Sequence, residues 1–330
     1  MTAEPLAGSV LGQALGDALG FVVEAQPPEV ARIYVEGWLR TGRAGEWPHP
    51  QFPFGQYSDD TQFVRELLRS FQQSIGWDPS AFAARLAQLF RERRDVGAGP
   101  GTRSAALRLI MGVSWRESGT PAPYAGNGAA MRAGPLGLLL PEPRAMCRAA
   151  REQTTITHLD PRCAAGAAAV ARAVAISAAG SPIDRAAFLE DVAGCAEGED
   201  QSVAMAIRNL GEWVSLTPAG AARHLHESGL DPAHSDQWRG ISAFVTPSVL
   251  WSLYAFLRSP DDYWETICTA IGVGGDTDTM AAIAGAISGA RLGVTALPAD
   301  LLSRLNDRGE WDAGALVDLA HACAAMVEPA

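Results

Sequence analysis

Residues 274–279 read GGDTDT and residues 57–62 read YSDDTQ, each just before a segment of small or periodic apolar residues. Two chemistries fit such clusters. Asp, Ser and Thr accept hydrogen bonds from the free N–H groups of a first helical turn, so both could be caps. The same oxygens could hold a hard metal ion. Adjacent carboxylates repel one another unless a cation or proton lies between them, and two such groups in one apolar chain call for compensation. Oxygen-only ligands favour magnesium, manganese or calcium over zinc.

Two glycine-rich turns lead into further helical segments: GAGPGT at 97–102 and GNGAAMR at 126–132. Turns of this kind are common in any fold, yet they can also direct N–H groups onto phosphate oxygens. A pair of them beside a metal site suggests a pyrophosphate. His158, in THLDPR, precedes a long small-residue helix, where capping and packing are its ordinary role. Glu24 closes GDALGFVVE, an apolar helix ending beside an irregular stretch.

The elements that must position these groups are helices. In DTQFVRELLRSFQQSI, Val64, Leu67, Leu68, Phe71 and Ile75 recur at intervals of three and four, forming one apolar face. AFAARLAQLFRER, TRSAALRLIMGV, RCAAGAAAVARAVAISA, PSVLWSLYAFL and DYWETICTAI repeat the pattern, and strand-like alternation is scarce. Gly285 and Gly289 lie one turn apart inside MAAIAGAISGARLG. Each costs about 1 kcal/mol relative to alanine, which predicts a compensating close approach by a neighbouring helix and a central place for this one. Irregular stretches are expected near 41–57, 95–102, 119–130, 180–202 and 228–240. None has the length or composition of an interdomain linker, so residues 1–330 are read as one domain.

Composition narrows the function. With 48% hydrophobic and 19% charged residues the chain is globular rather than disordered. A net charge of −11 without a marked basic cluster argues against general nucleic-acid binding. All 26 basic residues are arginine, which excludes a lysine Schiff base and a Walker P-loop and hints at a G+C-rich bacterial genome. Five scattered cysteines (Cys147, Cys163, Cys195, Cys268 and Cys323) without a C-x-x-C pair predict reduced thiols in a cytoplasm, not a disulfide framework or thiolate zinc site. The N-terminal apolar stretch is interrupted by Gln13 and Asp17 and reads as neither signal peptide nor membrane span.

Taken together, LGQALGDALGFVVE, YSDDTQ, GNGAAMRAGPLGLLL, THLDPRCAAGAAAVARA and AIGVGGDTDTMAAIAGAISGARLG resemble the successive blocks of the ADP-ribosylglycohydrolase family, in family order, across about residues 7–300. The resemblance implies an all-α orthogonal bundle around a binuclear centre holding two Mg²⁺ or Mn²⁺ ions. Its metal motifs fall on Ser58, Asp59 and Asp60 and on Asp276, Asp278 and Thr279. Ser58 stands where the family commonly has threonine.

The resemblance places the diphosphate of ADP-ribose against Gly97, Gly99 and Gly101 and against Gly126, Asn127 and Gly128, with Met131 and His158 in the same cleft. It gives Glu24 and Asp60 catalytic roles. Asp95 would hold a departing guanidinium, which slightly favours arginine over serine linkages. The implied reaction hydrolyses the glycosidic bond of a mono-ADP-ribosylated protein or small ADP-ribosyl substrate, through an oxocarbenium-like state and with metal-activated water. The other reading is a catalytically silent ADP-ribose-binding or structural protein of the same fold. Neither involves a membrane.

Overall fold

A computed structural model of the chain describes residues 3–48, 51–230 and 238–327. Among these residues there are sixteen α-helices and no strand, only isolated bridges such as Ile241 with Gly275. The all-α expectation agrees with this architecture.

Two helices form its axis. Ala3–Gly20 is buried from Leu6 onward, and Thr277–Leu292 is buried from Thr277 to Ala290. A helix apolar on every side belongs inside. Met280, Ile283 and Ile287 of the latter face one core, with Phe82 and Trp251. Its Ala281 and Ala284 face another, with Leu11, Leu15 and Ile267. Ala3–Val23 is also long and apolar enough to cross a membrane by composition alone, but 94% of that window is buried within the protein.

The axis is held by glycine. Gly8, Gly12, Gly16 and Gly20 line one face of the first helix at one-turn spacing, antiparallel to Gly289, Gly285, Ala281 and Thr277. A Cβ on any of the four would lie 2.2–2.3 Å from the carbonyl oxygen opposite. No side chain fits there. The close approach anticipated at Gly285 and Gly289 thus exists, and its partner is the N-terminal helix. Thr277 Oγ1 closes the seam by donating to the Gly20 carbonyl at 2.8 Å.

Two expectations fail. Ile75, read as part of the apolar face of its helix, is the left-handed C-cap after the helix Asp59–Ser74 and is 82% exposed. The stretch 180–202, read as irregular, contains the helix Arg185–Glu197. Asp184, which resembles a loop residue in sequence, is its N-cap and accepts from Ala186 N and Ala187 N. Phe188, Leu189, Val192, Ala193 and Ala196 form its buried face. The acidic residues and Gly194 that dilute the apolar pattern fall on the other side.

Candidate metal centre and cleft

Three helix ends meet at one point. The axial helix Thr277–Leu292 starts immediately after Gly274 and Gly275, whose φ values of +73° and +86° suit glycine. Asp276 N donates to Ile241 O at 2.8 Å, Gly275 N to Gln26 O at 2.9 Å, and Ala25 N to Gly275 O at 2.8 Å. This backbone weave sets Glu24 beside Asp276. The helix Asp59–Ser74 starts at the same place, with Ser58 Oγ accepting from Asp60 N at 3.2 Å. Helix N-termini carry partial positive charge, which suits the acids of both first turns.

The carboxylates form two groups of three. Asp17, Asp60 and Asp278 each offer one oxygen within 4.8 Å of the others', and so do Glu24, Asp276 and Asp278. Asp278 belongs to both. Thr279 Oγ1 donates to the two oxygens of Asp60 at 3.1 and 3.2 Å, and Asn127 Nδ2 donates to Asp276. Asp59, Asp60 and Asp278 are held well above the usual carboxylate range by burial first and by neighbouring carboxylates second. Burial also raises Asp276 and pushes Asp17 up to about 6. Glu24 is pushed up to about 8 by burial, then by Asp276 and Asp17.

Such a crowd of buried acids needs protons or cations. The donor set is all oxygen, and a shared carboxylate between two trios suits a pair of hard divalent ions.

A cleft of about 360 Å³ opens above these acids. Glu24, Asp59, Asp276, Asp278 and Thr279 line its floor, while Gly97, Gly99, Gly126, Asn127, Gly128, Met131 and His158 line its walls. The other anticipated residues lie off the cleft surface. Asp60 is buried with Asp17, and Ser58 is engaged as a cap. Gly101 N donates to the Tyr124 hydroxyl at 3.2 Å. Asp95 is paired with Arg103 Nη2 at 2.8 Å.

The glycines at 126 and 128 have a steric reason. A Cβ at Gly126 would lie 3.1 Å from His158 Nε2, and one at Gly128 would lie 3.2 Å from its Cε1. The imidazole stacks on Tyr124 with centroids 5.8 Å apart. Burial, then the Arg132 charge, pushes it down to about 3, so it is neutral. It is not the cap of the following helix: Asp160 is, accepting from Arg162 N at 3.0 Å.

Sequence reasoning treated Asp17 only as an interruption of an apolar stretch. The carboxylate accepts from Ser58 N at 2.9 Å, Thr61 N at 3.0 Å and Thr61 Oγ1 at 2.6 Å. It therefore ties the first helix to the YSDDTQ turn. Gln13, one turn earlier, donates to Asp60 O at 3.0 Å and Met131 O at 2.9 Å. The available signal was the i, i+4 spacing of Ser9, Gln13 and Asp17 inside a largely apolar helix. Tyr124, Thr102 and Trp238, which also line the cleft, were not anticipated either.

An all-helical bundle with an acidic, cation-suited floor under a glycine-walled cleft suits a metal-assisted hydrolase. The family model described as ADP-ribosylglycohydrolase matches residues 2–328. ADP-ribosylhydrolase ARH3 of Homo sapiens is 30% identical over 324 residues, covering 88% of this chain and 86% of its own. The ADP-ribosyl-[dinitrogen reductase] glycohydrolase of Rhodospirillum rubrum is 28% identical, covering 97% and 96%. A solved chain described as an ADP-ribosylglycohydrolase-related protein complex has a TM-score of 0.73 at 26% identity, with 99% of both chains covered. The chain belongs to the ADP-ribosylglycohydrolase family and is a hydrolase.

Proposed function

We propose that the protein removes mono-ADP-ribose from a modified side chain by hydrolysing its glycosidic bond, using two Mg²⁺ or Mn²⁺ ions. The observation that carries this reading is the pair of carboxylate trios sharing Asp278 beneath a cleft. Asp17, Asp60 and Asp278 would hold one ion, and Glu24, Asp276 and Asp278 the other. Divalent ions bound there would supply Lewis acidity.

The chain's own groups do the rest. Positive charge develops at the anomeric carbon during glycosidic cleavage, and carboxylates beside it stabilise that charge. Glu24 reaches the cleft surface, where its carboxylate oxygen turned away from an ion is placed to exchange a proton with the leaving group or the attacking water. Backbone around Gly97, Gly99, Gly126 and Gly128 leaves room for the diphosphate, and His158 and Tyr124 form the wall beside it.

An arginine linkage is slightly favoured over a serine linkage. Asp95 stands two residues before Gly97 of the cleft, and its carboxylate, once released from its ion pair with Arg103, is suited to a departing arginine side chain. The test is release of ADP-ribose from arginine-modified and serine-modified proteins, with Mg²⁺, Mn²⁺ or EDTA. Cation-dependent release supports the reading. Binding of ADP-ribose with no turnover of either substrate selects the silent binding protein instead.

A further inference from the structure

Arg132 is completely buried, yet its hydrogen bonds all run to neutral oxygens. Nε donates to Gln153 Oε1 at 2.6 Å and Nη1 to Gly128 O at 2.8 Å. Nη2 donates to Gln153 O at 2.9 Å and to Thr157 Oγ1 at 2.7 Å. The rings of Phe63 and Phe82 lie against the guanidinium, 5.7 and 5.5 Å away. One cation thus fixes both the glycine loop and the turn that carries His158.

The hydroxyl of Thr157 has two neighbours, Arg132 Nη2 and His158 Nδ1, the latter at 2.8 Å. A guanidinium can only donate, so it occupies a lone pair of the hydroxyl. The hydroxyl hydrogen then has one acceptor within reach, the imidazole Nδ1. The opposite arrangement, with the hydrogen on Nδ1, would leave a hydroxyl hydrogen without a partner at a residue that is 1% exposed. Nδ1 is therefore bare, and Nε2 carries the hydrogen.

The Nε2 edge faces the cleft. It lies over Gly126 and Gly128, where the missing side chains keep it open, and no described residue hydrogen-bonds to it. We infer that Arg132 and Thr157 are positioning residues that lock His158 as its Nε2–H tautomer, giving the cleft a fixed, uncharged donor for an anionic phosphate oxygen. The lock itself is independent of the reaction. Its use on a diphosphate rests on the function proposed above.

The test is nitrogen NMR on the full chain with labelled histidine, using His158→Gln to assign the resonance. The expected wild-type spectrum shows hydrogen on Nε2 and a bare, hydrogen-bonded Nδ1. Thr157→Val should move the Nδ1 resonance to its unbonded position, and Thr157→Ser should restore it. Hydrogen on Nδ1 in the wild type, or an unchanged resonance in Thr157→Val, overturns the lock.

Calorimetry with ADP-ribose tests the donor role. His158→Gln, whose amide N–H can take the place of Nε2–H, should bind within about threefold of wild type. His158→Asn and His158→Ala should bind about tenfold more weakly, the loss of one hydrogen bond to a charged group. Equal affinity in all three variants overturns the donor role. A wild-type protein that binds no ADP-ribose defeats the proposed function and the diphosphate assignment, while the spectrum still decides the tautomer.

Discussion

Gly12→Ala places a methyl group 2.3 Å from the Gly285 carbonyl oxygen and 3.0 Å from the Gly289 Cα, where ordinary contact begins at 3.4 Å. The axial helices must separate by about 1 Å, because backbone blocks the methyl and no side chain can rotate away. Overpacking of this kind costs about 3 kcal/mol at the upper end of its usual range. Higher helix propensity returns about 1 kcal/mol, leaving a net loss of about 2 kcal/mol. Gly194→Ala is the control, since Gly194 lies in the exposed part of a helix with nothing within 4 Å of the added carbon. It should gain about 0.5–1 kcal/mol from the same propensity. Urea denaturation of the two variants against wild type gives opposite signs. A Gly12→Ala protein as stable as wild type refutes the close seam, and with it the account of how Asp17 reaches the acidic floor.

Asp278→Asn removes the carboxylate common to both trios; turnover should fall on the order of 100-fold or more, as expected from losing several kcal/mol of Lewis-acid stabilisation. The same variant should melt higher than wild type in EDTA, because one crowded acid is gone, and should lose the Mg²⁺-induced rise; a retained rise removes Asp278 from the ion site. The pH dependence follows from Asp17 at about 6 and Glu24 at about 8, against 3.8 and 4.5 in ordinary surroundings. Raised carboxyls bind more protons folded than unfolded, so cation-free stability should fall as pH rises through about 4 to 8, and the Mg²⁺ increment should grow over that range as competing protons leave. Thermal melts in EDTA and Mg²⁺ check this, and a cation-free melting point that climbs with pH contradicts it. Asp95→Asn should lower the preference for arginine-linked over serine-linked substrate about tenfold, by loss of a charge-assisted pair, whereas Arg103→Ala, which frees the carboxylate, should raise it; an unchanged ratio in both variants takes Asp95 out of recognition.

What could be read from sequence follows from what is costly in an apolar chain. Paired acids at 59–60 and at 276 and 278 stand out because burying them demands compensation, so YSDDTQ and GGDTDT were visible as a site. Glycines at 285 and 289 stand out because helices disfavour them, and the predicted close neighbour exists. Asp17 was hidden by being single: one acid in a helix has the appearance of a surface residue until the opposite turn is known to need an acceptor for Ser58 N and Thr61 N. Tyr124 and Trp238 reach the cleft through contacts that no local pattern encodes. The helix Arg185–Glu197 was missed because its polar outer face diluted the apolar period.

The seam and the acids are two ends of one device. Helix ends can bring carboxylates together only if the register between the helices is fixed, and larger interfacial side chains would push the axial pair apart. With glycines at the interface, the four backbone contacts between Gly8–Gly289 and Gly20–Thr277 set that register to a fraction of a turn. The Thr277 hydroxyl bond to Gly20 pins it at the acidic end. This costs helix propensity at six glycines, and burying Asp17, Glu24, Asp59, Asp60, Asp276 and Asp278 together costs more. A cation bound at the proposed site would favour only the folded arrangement, and so would offset those terms by mass action. On the proposed function, stability and ion binding are coupled through the same pair of helices, and a substitution in the seam should weaken Mg²⁺ binding even where it touches no ligand.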